Sequence, residues 1–271
     1  MKQGQNRLFA VLDVETTGSG EGGDRITEIG IALYDGNKIV RTFESLVNPE
    51  RKIPPFVARL TGISNEMVAK APRFEEIADE VEAITKDAIF VAHNVDYDYG
   101  VIKREMKMLD LTFHRRKICT VRLSRKAFPD FSSFSLGDLI RQFNIQVEAR
   151  HRAMADTMAT VELLGYILQE DKDGFLIEDA LNCGIRLSDL PEEISLNTLL
   201  QIPEGSGVYY LYDSEGEVLY IGQGKNVQKR VLKHFIRNDR GILTKLGKKA
   251  RDVSFEIMDN ELTSKLSLIH I

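Results

Sequence analysis

Two acidic residues at the end of an apolar run are the first feature of the sequence with the residue types and spacing that chemistry needs. Asp13 and Glu15 follow the stretch LFAVL and stand two positions apart. In a β-strand this spacing places both side chains on one face, about 7 Å apart along the backbone. The pair therefore suits a metal ion, although two acids at a strand end also occur without any catalytic role.

Two later segments carry acids that could join this pair. Asp98 lies in AHNVDYDYG, Asp156 ends HRAMAD, and His151 begins that second segment. Four carboxylates could hold two hard cations about 4 Å apart, because Mg²⁺ and Mn²⁺ take oxygen ligands. Such ions can bind the attacking water and the departing 3′ oxygen of a phosphodiester. An imidazole, with an unperturbed pKa of about 6.5, can accept the proton of that water at neutral pH.

These segments resemble, in order, the motifs of the DnaQ-like exonucleases of the DEDDh class, the family of the DNA polymerase III epsilon proofreading subunit. VLDVETTG, the LTGI at 60–63, HNVDYD and HRAMAD carry the resemblance, which covers about residues 7–168. It implies a 3′→5′ exonuclease of ribonuclease H-like fold that uses two Mg²⁺ or Mn²⁺ ions. It also implies His151 as the general base, with the metal ligands Asp13, Glu15, Asp98 and Asp156.

The same resemblance indicates which residues contact the terminal nucleotide. The substrate contacts that it implies are Thr16, Thr17, Leu60 and Thr61. Asp96 is the alternative to Asp98, and we favour Asp98 because the family pattern HN-x-x-[FY]-D places an aromatic residue immediately before the acid. Further aromatic residues could stack on bases, or equally belong to core packing or a mobile loop; they are Phe128, Phe131 and Phe134.

A second set of residues resembles another nuclease family. GVY at 207–209 and YIG at 220–222, followed by KNVQKRVLKHF, are similar to the UvrC-type GIY-YIG domain over about residues 203–265. The resemblance implies Tyr209 and Tyr220 as active-site tyrosines and Arg230 as a bidentate ligand of the scissile phosphate. Lys225 and His234 also stand at the family spacing, and we expect them to bind substrate.

The chain departs from the GIY-YIG pattern in two places. Gln223 stands where UvrC-like domains often have Lys, and the family's metal-binding Glu would fall near Leu268. Glu261 could be that ligand only in a different register. Residues 266–271 match the translation of a transposon end used in preparing sequencing libraries, so we exclude them from the fold interpretation and expect the natural chain to continue. As it stands, the second site lacks a metal ligand and should cut very slowly or not at all.

The elements that position these residues follow from the apolar pattern. LFAVLDVE, RITEIGIALY and KIVRTFESLV predict three strands, and the turn at 35–37 predicts that they form an antiparallel meander. Helices are predicted after the two prolines at 54–55, over 73–85, and in the ranges 96–109, 135–142 and 152–169, with a strand at DAIFVAH. The order predicts an α/β fold in which helices flank a mixed sheet.

Composition suggests where this domain ends. Residues 170–193 carry eight acids against two bases and show little apolar pattern. We therefore predict an exonuclease domain over 1–170, an acidic connector over 171–200 and a GIY-YIG domain over 201–271. In the last of these, GVYYLYD and EVLYIG predict a hairpin joined at 213–216, and VQKRVLKHFI predicts a basic amphipathic helix, so the unit is a small α/β domain.

The net charge of −5 hides two basic stretches. Residues 107–126 carry seven Lys/Arg against one acid, and residues 223–251 carry ten against one. A solvated face explains either stretch alone, but beside a nuclease site we favour contact with phosphates. We therefore expect DNA as the partner, especially single-stranded 3′ ends, with a DNA polymerase or repair proteins as further candidates.

Several functions and one location follow as expectations. No apolar run approaches the ~18 residues of a membrane span and no secretion signal is seen, so we expect a cytoplasmic protein without membrane contact. The leading function is exonuclease action in DNA repair or proofreading. RNA 3′-end trimming, a second domain that only binds DNA, and a polymerase accessory subunit stay open as alternatives.

Overall fold

The protein is described by a computed structural model that covers residues 7–18, 23–147, 151–237 and 242–258. The chain divides into two compact units, Met1–Ile177 and Glu178–Ile271. Among the helices of the described residues, none is both long enough and apolar enough to cross a membrane.

The first unit is built on a five-stranded mixed sheet. Its strands are β1 (Phe9–Thr16), β2 (Ile26–Tyr34), β3 (Ile39–Leu46), β4 (Ile89–Ala92) and β5 (Lys117–Cys119), in the order β3-β2-β1-β4-β5. The first three strands are antiparallel, whereas β4 pairs in parallel with β1 and with β5. The predicted meander and mixed sheet are therefore confirmed, while β5 was not predicted because three residues give too short an apolar pattern.

Eight helices accompany this sheet in the described residues. They are α1 (Pro55–Thr61), α2 (Asn65–Val68), α3 (Phe74–Thr85), α4 (Val95–Met108), α5 (Thr120–Ala127), α6 (Leu136–Phe143), α7 (Ala153–Glu170) and α8 (Phe175–Leu181), which spans the division between the units. A proline at the first turn starts α1, and the Ser135 hydroxyl caps α6 by accepting the Asp138 N–H. Helices α1, α3, α4, α6 and α7 correspond to the predicted helices, whereas α2 and α5 were not predicted.

The two faces of the sheet have different partners. Leu12 and Val14 of β1 share one apolar cluster with residues of α3 and α4. The alternate residues of β1 face the other way, toward α7, because successive side chains of a strand point to opposite faces. Full burial of a side chain such as Leu12 contributes about 2 kcal/mol. The core thus fixes which face of β1 carries Asp13 and Glu15.

Gly30 allows α7 to lie directly on the sheet. It is the cross-strand partner of Asp13, and a Cβ placed on it would lie 2.6 Å from the backbone nitrogen of Met154. The Thr157 hydroxyl donates to the Gly30 carbonyl at 3.0 Å. Because backbone meets backbone here, the first turn of α7 is held beside the acids of β1.

The second unit has a three-stranded antiparallel sheet in the order β7-β6-β8. Its strands are β6 (Gly207–Tyr212), β7 (Val218–Gly224) and β8 (Asp252–Ile257), and its further helices are α9 (Leu196–Gln201), α10 (Val227–Phe235) and α11 (Lys245–Lys249). The expected hairpin is closed by the Asp213 N–H, which donates to the Glu217 carbonyl at 3.0 Å. The hairpin and the basic helix agree with the sequence pattern, whereas α9, α11 and β8 were not predicted.

The segment predicted as an acidic connector has structure of its own. Its residues 175–181 and 196–200 belong to helices, and Leu187–Asp189 forms a 3₁₀ turn. Ile185, Ile194 and Leu199 are buried in the core cluster of the second unit together with Tyr209. The acidic composition obscured these apolar residues in the sequence, because they are few and show no regular spacing. Their burial results from packing in one cluster with residues of α10.

Replacing Gly30 by Ala should destabilise the first unit. The new methyl group would overlap the α7 backbone, so we expect a loss of about 2 kcal/mol in the free energy of unfolding, measured by urea denaturation. Gly100→Ala is the matched control, because a Cβ on this residue of α4 meets nothing within 4 Å and Ala favours the helix. Equal stability of the two variants would contradict the proposed close packing.

Candidate nuclease sites

The carboxylates of Asp13 and Glu15 are only half-buried, although β1 is a central strand. Leu12 and Val14 beside them are 0% and 6% exposed. In the register with β2, Asp13 lies opposite Gly30 and Glu15 lies opposite Glu28. The two acids therefore share the face of the sheet on which α7 begins.

The start of α7 brings a histidine and a third acid to this face. One ligand atom each of Glu15, His151 and Asp156 lie within 4.8 Å of one another. His151 has a positive φ of 60°, and its N–H donates to Asp156 Oδ2 at 3.3 Å. The sequence interpretation placed these three residues in one site, and the structure brings them together.

Asp98 approaches the same strand from α4. Its Oδ1 accepts the Val14 N–H at 3.3 Å, so the carboxylate lies beside β1 between the positions of Asp13 and Glu15. Burial raises the pKa of Asp98 to about 7, and hydrogen bonds from backbone N–H groups oppose that rise. A buried carboxylate near other acids is unfavourable unless a cation compensates the charge. Oxygen ligands of this kind suit Mg²⁺ or Mn²⁺, so the residues fit the expected metal ions.

A hydrogen-bonded chain links the start of α4 to the end of β1. The Tyr97 hydroxyl donates to Asp24 Oδ2 at 2.9 Å and lies 2.7 Å from the Thr16 hydroxyl. Burial raises the pKa of Tyr97 to about 12, so the phenol keeps its proton at neutral pH. Farther along α4, the buried Glu105 accepts from Arg25 Nε at 2.8 Å. These contacts fix the helix that presents Asp98.

Glu28 is a residue that the sequence analysis missed. It is 1% exposed, and it binds Arg152 through contacts of 3.0 Å and 3.1 Å from Nε and 2.5 Å from Nη2. Its Oε2, one of the two oxygens that Arg152 contacts, also accepts the Ala153 N–H at 2.8 Å, at the first residue of α7. A carboxylate at a helix N-terminus satisfies an unbonded donor and the helix dipole. Glu28 therefore anchors the segment that carries His151.

The expected substrate contacts differ in accessibility. Thr61 is buried, and its hydroxyl donates to the Val57 carbonyl and accepts the Ile63 N–H. Thr17 is also buried and accepts the Arg25 N–H, whereas Thr16 bonds to Tyr97 as described above. Leu60 is 58% exposed, and Phe56, one turn earlier on α1, is 62% exposed. Phe56 was missed because a single aromatic residue in a short helix gives no signal.

The remaining sequence candidates of the first unit, one acid and three phenylalanines, have other partners, and Phe134 lies beside Arg125, whose guanidinium is 5.7 Å from its ring centre. Asp96 forms ion pairs with Arg122 at 2.5 Å and Lys117 at 3.3 Å on the surface. The rings of Phe128 and Phe131 pack on Phe143, with centroid distances of 4.9 Å and 5.5 Å. These two aromatic residues therefore take part in packing, as one of the alternatives proposed.

In the second unit, two tyrosines and a histidine form a compact group. The Tyr209 hydroxyl lies 2.8 Å from His234 Nε2, and the Tyr220 ring lies 5.3 Å from the His234 ring. Burial raises the pKa of Tyr209, and the neighbouring Tyr220 adds to this effect. Burial and Arg230 lower the pKa of His234, which favours a neutral imidazole that can share a hydrogen bond with the Tyr209 hydroxyl. A Cβ on Gly222 would lie 2.3 Å from the Tyr209 ring, which explains the glycine of the YIG segment.

A basic cavity of about 400 Å³ adjoins α10. Its lining residues are Gln223, Gly224, Lys225, Asn226, Lys229, Arg230 and Lys233. An anionic ligand suits this lining, because it has four cationic side chains and no acid. The departure at Gln223 thus lies in the cavity wall itself. Glu261 and Leu268, the positions considered for a metal ligand, lie outside the described residues.

Comparison with protein families gives two matches along the chain. The family described as "Exonuclease" matches residues 10–164, and the family described as "UvrC-like GIY-YIG domain" matches residues 205–268. The two matches cover the two sites described above. The resemblances stated from the motifs are confirmed.

Two related proteins and one solved structure are similar to this chain. A protein of Mycobacterium tuberculosis (strain CDC 1551 / Oshkosh), named as a bifunctional exonuclease/endonuclease, is 33% identical over 86% of this chain. The 3′-5′ exonuclease DinG of Staphylococcus epidermidis is 36% identical over 58% of this chain. The chain spans only 38% and 17% of the lengths of these relatives. The solved structure of exonuclease X in complex with 5′ overhanging duplex DNA is 28% identical, with a TM-score of 0.50 over 60% of this chain and 93% of that chain.

Replacing Glu28 by Gln should weaken metal binding in the first unit. The neutral amide no longer balances Arg152, so His151 and Asp156 lose their fixed positions, and the affinity for Mn²⁺ should fall about tenfold or more. Titration followed by electron paramagnetic resonance measures this affinity. Glu162→Gln, an exposed change on α7, is the matched control. A Glu28→Gln variant with unchanged Mn²⁺ affinity would show that the anchor has no effect on the site.

Proposed function

Because the chain belongs to the exonuclease family, we propose that its first unit is a metal-dependent 3′→5′ exonuclease acting on DNA. The observation that carries the proposal is the contact of Glu15, His151 and Asp156 on the face of β1. The proposed ligands of two divalent cations are Asp13, Glu15, Asp98 and Asp156. The ions, when bound, acidify the attacking water and stabilise the departing 3′ oxygen.

His151 is the proposed general base. Its side chain lies beside two proposed metal ligands, where it can accept a proton from water. Its backbone N–H is bound to Asp156, and the neighbouring Arg152 is bound to Glu28, so the imidazole is held close to the site. Proton acceptance by a positioned side chain typically contributes a factor of about 10²–10⁴ to the rate.

DNA with an accessible 3′ end is the proposed substrate, and Mg²⁺ is the proposed metal on grounds of availability, with Mn²⁺ as the alternative. Exonuclease X, which is 28% identical, was solved with 5′ overhanging duplex DNA, and this supports DNA. Leu60 and Phe56 offer exposed apolar surface for the terminal base, and Thr16, Thr17 and Thr61 shape the backbone around it. RNA is the alternative substrate, since nothing in the described part of this site reads a 2′-hydroxyl.

For the second unit we propose strand cleavage by a GIY-YIG endonuclease site. Tyr209 and Tyr220 are the proposed active-site tyrosines, with the Tyr209 hydroxyl hydrogen-bonded to His234. Arg230 would bind the scissile phosphate, and Lys225 would hold a neighbouring phosphate in the basic cavity. The alternative is that this unit only binds DNA while the first unit cuts. We place the whole protein in DNA repair or proofreading in the cytoplasm, with a DNA polymerase or repair protein as partner.

The exonuclease proposal predicts a ladder of products from 5′-labelled single-stranded DNA with Mg²⁺. Asp13→Ala and His151→Ala should each slow shortening from the 3′ end by about 10³-fold. Asp96→Ala is the control that should keep full activity, because this acid pairs with surface cations. The matched RNA strand is digested in parallel, and preference for RNA would favour the alternative substrate. Absence of a ladder with either strand under Mg²⁺ or Mn²⁺ would overturn the proposal.

The endonuclease proposal predicts slow nicking of supercoiled plasmid by the Asp13→Ala protein, in which the first site is silenced. Tyr209→Phe or Arg230→Ala in this background should reduce nicking about 100-fold. Lys249→Ala, an exposed change outside the basic cavity, is the control. Plasmid that is bound but never nicked, with binding abolished in Arg230→Ala, would establish the alternative of a DNA-binding unit.

A further inference from the structure

A basic cleft lies at the edge of the first unit's sheet opposite to the carboxylate cluster. It surrounds the starts of the parallel strands, where the Leu8 carbonyl accepts the Ile89 N–H at 2.8 Å and the Arg116 carbonyl accepts the Phe90 N–H at 2.9 Å. The cleft has a volume of about 660 Å³. Its lining residues are Arg7, Leu8, Lys86, Asp87, Ala88, Ile89, His114, Arg115 and Arg116. Neither the proposed exonuclease site nor the family matches assign it a role.

One of these cations has a structural task. Arg115 Nε donates to the Thr85 carbonyl at 3.0 Å, at the last residue of α3, and Nη2 pairs with Glu82 at 2.5 Å. Its guanidinium also lies 4.4 Å from the Phe113 ring centre. The partial negative charge of the α3 C-terminus is therefore already balanced. The other cations of the cleft are not needed for that purpose.

Lys86 and Arg116 carry the charge that a ligand would meet. Both are exposed, and within the described ranges neither forms an ion pair. They line the cleft with Arg7 and His114, against the single acid Asp87. A concave surface with an excess of positive charge attracts anions. It attracts a chain of closely spaced phosphates more strongly than a single anion. The chemical class of the ligand is thus a polyanion.

The position of the cleft indicates which polyanion. Seven residue steps along β1 separate Leu8 from Glu15, which corresponds to roughly 20 Å at about 3.3 Å per residue. That distance corresponds to roughly six nucleotides at about 3.4 Å per nucleotide of a duplex strand, and to roughly three spacings of an extended single strand, in which successive phosphates lie about twice as far apart. We propose that this cleft binds the sugar-phosphate backbone of a strand several nucleotides away from the 3′ end held at the carboxylate cluster. The inference rests on the proposed function of the first unit.

This arrangement would make binding depend on strand length. A long strand reaches both the carboxylate cluster and the cleft, whereas a trinucleotide reaches only the first. The basic stretch 107–126, which the sequence analysis assigned to phosphate contacts, supplies Arg115 and Arg116 to this edge. These two arginines therefore cannot contact phosphates at the other edge of the sheet, where the metal-ligand candidates lie.

The test compares Lys86→Glu/Arg116→Glu with Lys38→Glu/Lys172→Glu, an equal change in net charge at exposed positions outside the cleft. Fluorescence anisotropy without divalent metal measures the Kd for single-stranded DNA of about 30 nucleotides, and digestion with Mg²⁺ gives kcat/KM for a strand of about 30 nucleotides and for a trinucleotide. Circular dichroism melting confirms that each variant is folded. The binding measurement does not depend on catalysis.

The cleft variant should bind the long strand about tenfold more weakly, and the slope of log Kd against log salt should fall by about 0.7 for each phosphate that is no longer neutralised. Its kcat/KM for the short strand should match the wild type, and the control variant should match it for both strands. Unchanged long-strand affinity, or equal reductions for the two lengths or the two variants, would overturn the inference. Absence of the digestion ladder in the wild type, with the cleft variant still binding the long strand more weakly than the control variant, would instead overturn the nuclease function alone.

Discussion

The buried carboxylate of Glu28 holds the start of α7 against the two central strands, and the geometry of the first site depends on this contact. Three groups surround it: the Arg152 guanidinium, the first N–H donor of α7, and the neighbouring strand with Glu15 directly opposite. Gly30 permits the approach because a side chain there would collide with the helix backbone. Two effects therefore act together at the start of α7. The ion pair with Glu28 places the Arg152 guanidinium beside a group of acids, and the small Gly30 lets the backbone that carries His151 and Asp156 approach the sheet.

On the side of the site formed by α4, a buried carboxylate is again stabilised by its neighbours, but by different groups. Asp98 is buried beside β1, where its ionised form is unfavourable, and its accepted backbone hydrogen bond offsets only part of that cost. Arg25 with Glu105 and Tyr97 with Asp24 hold α4 in place without adding an uncompensated cation to the site. The remaining excess of negative charge is the physical reason that divalent cations would complete the arrangement. Helices α4 and α7 present their acids to the same end of β1.

In the second unit, the candidate site residues are positioned by close contacts between neighbouring strands and the following helix, and not by ion pairs between residues far apart in the sequence. Tyr209 packs over the glycine of the opposite strand, and His234 comes from the helix that follows β7. The basic residues of α10 line a separate cavity wall, so the tyrosines and these cations are presented by adjacent elements. The two units thus carry side chains of opposite charge at the two places: acids at the end of β1 in the first, and cations around α10 in the second.

The sequence by itself determined the long strands and helices, because their apolar periods are local, and it determined the chemical types of the site residues, because ordered motifs carry them. It did not reveal β5 or β8, which are short, nor the apolar residues of the acidic segment 178–200, whose burial depends on α10. Only the tertiary structure decided the role of Glu28, since an acid in the alternating stretch ITEIGIAL looks like any solvent-facing residue of a strand. Its partner stands 124 residues later, and pairing across that distance is a property of packing that no local pattern encodes.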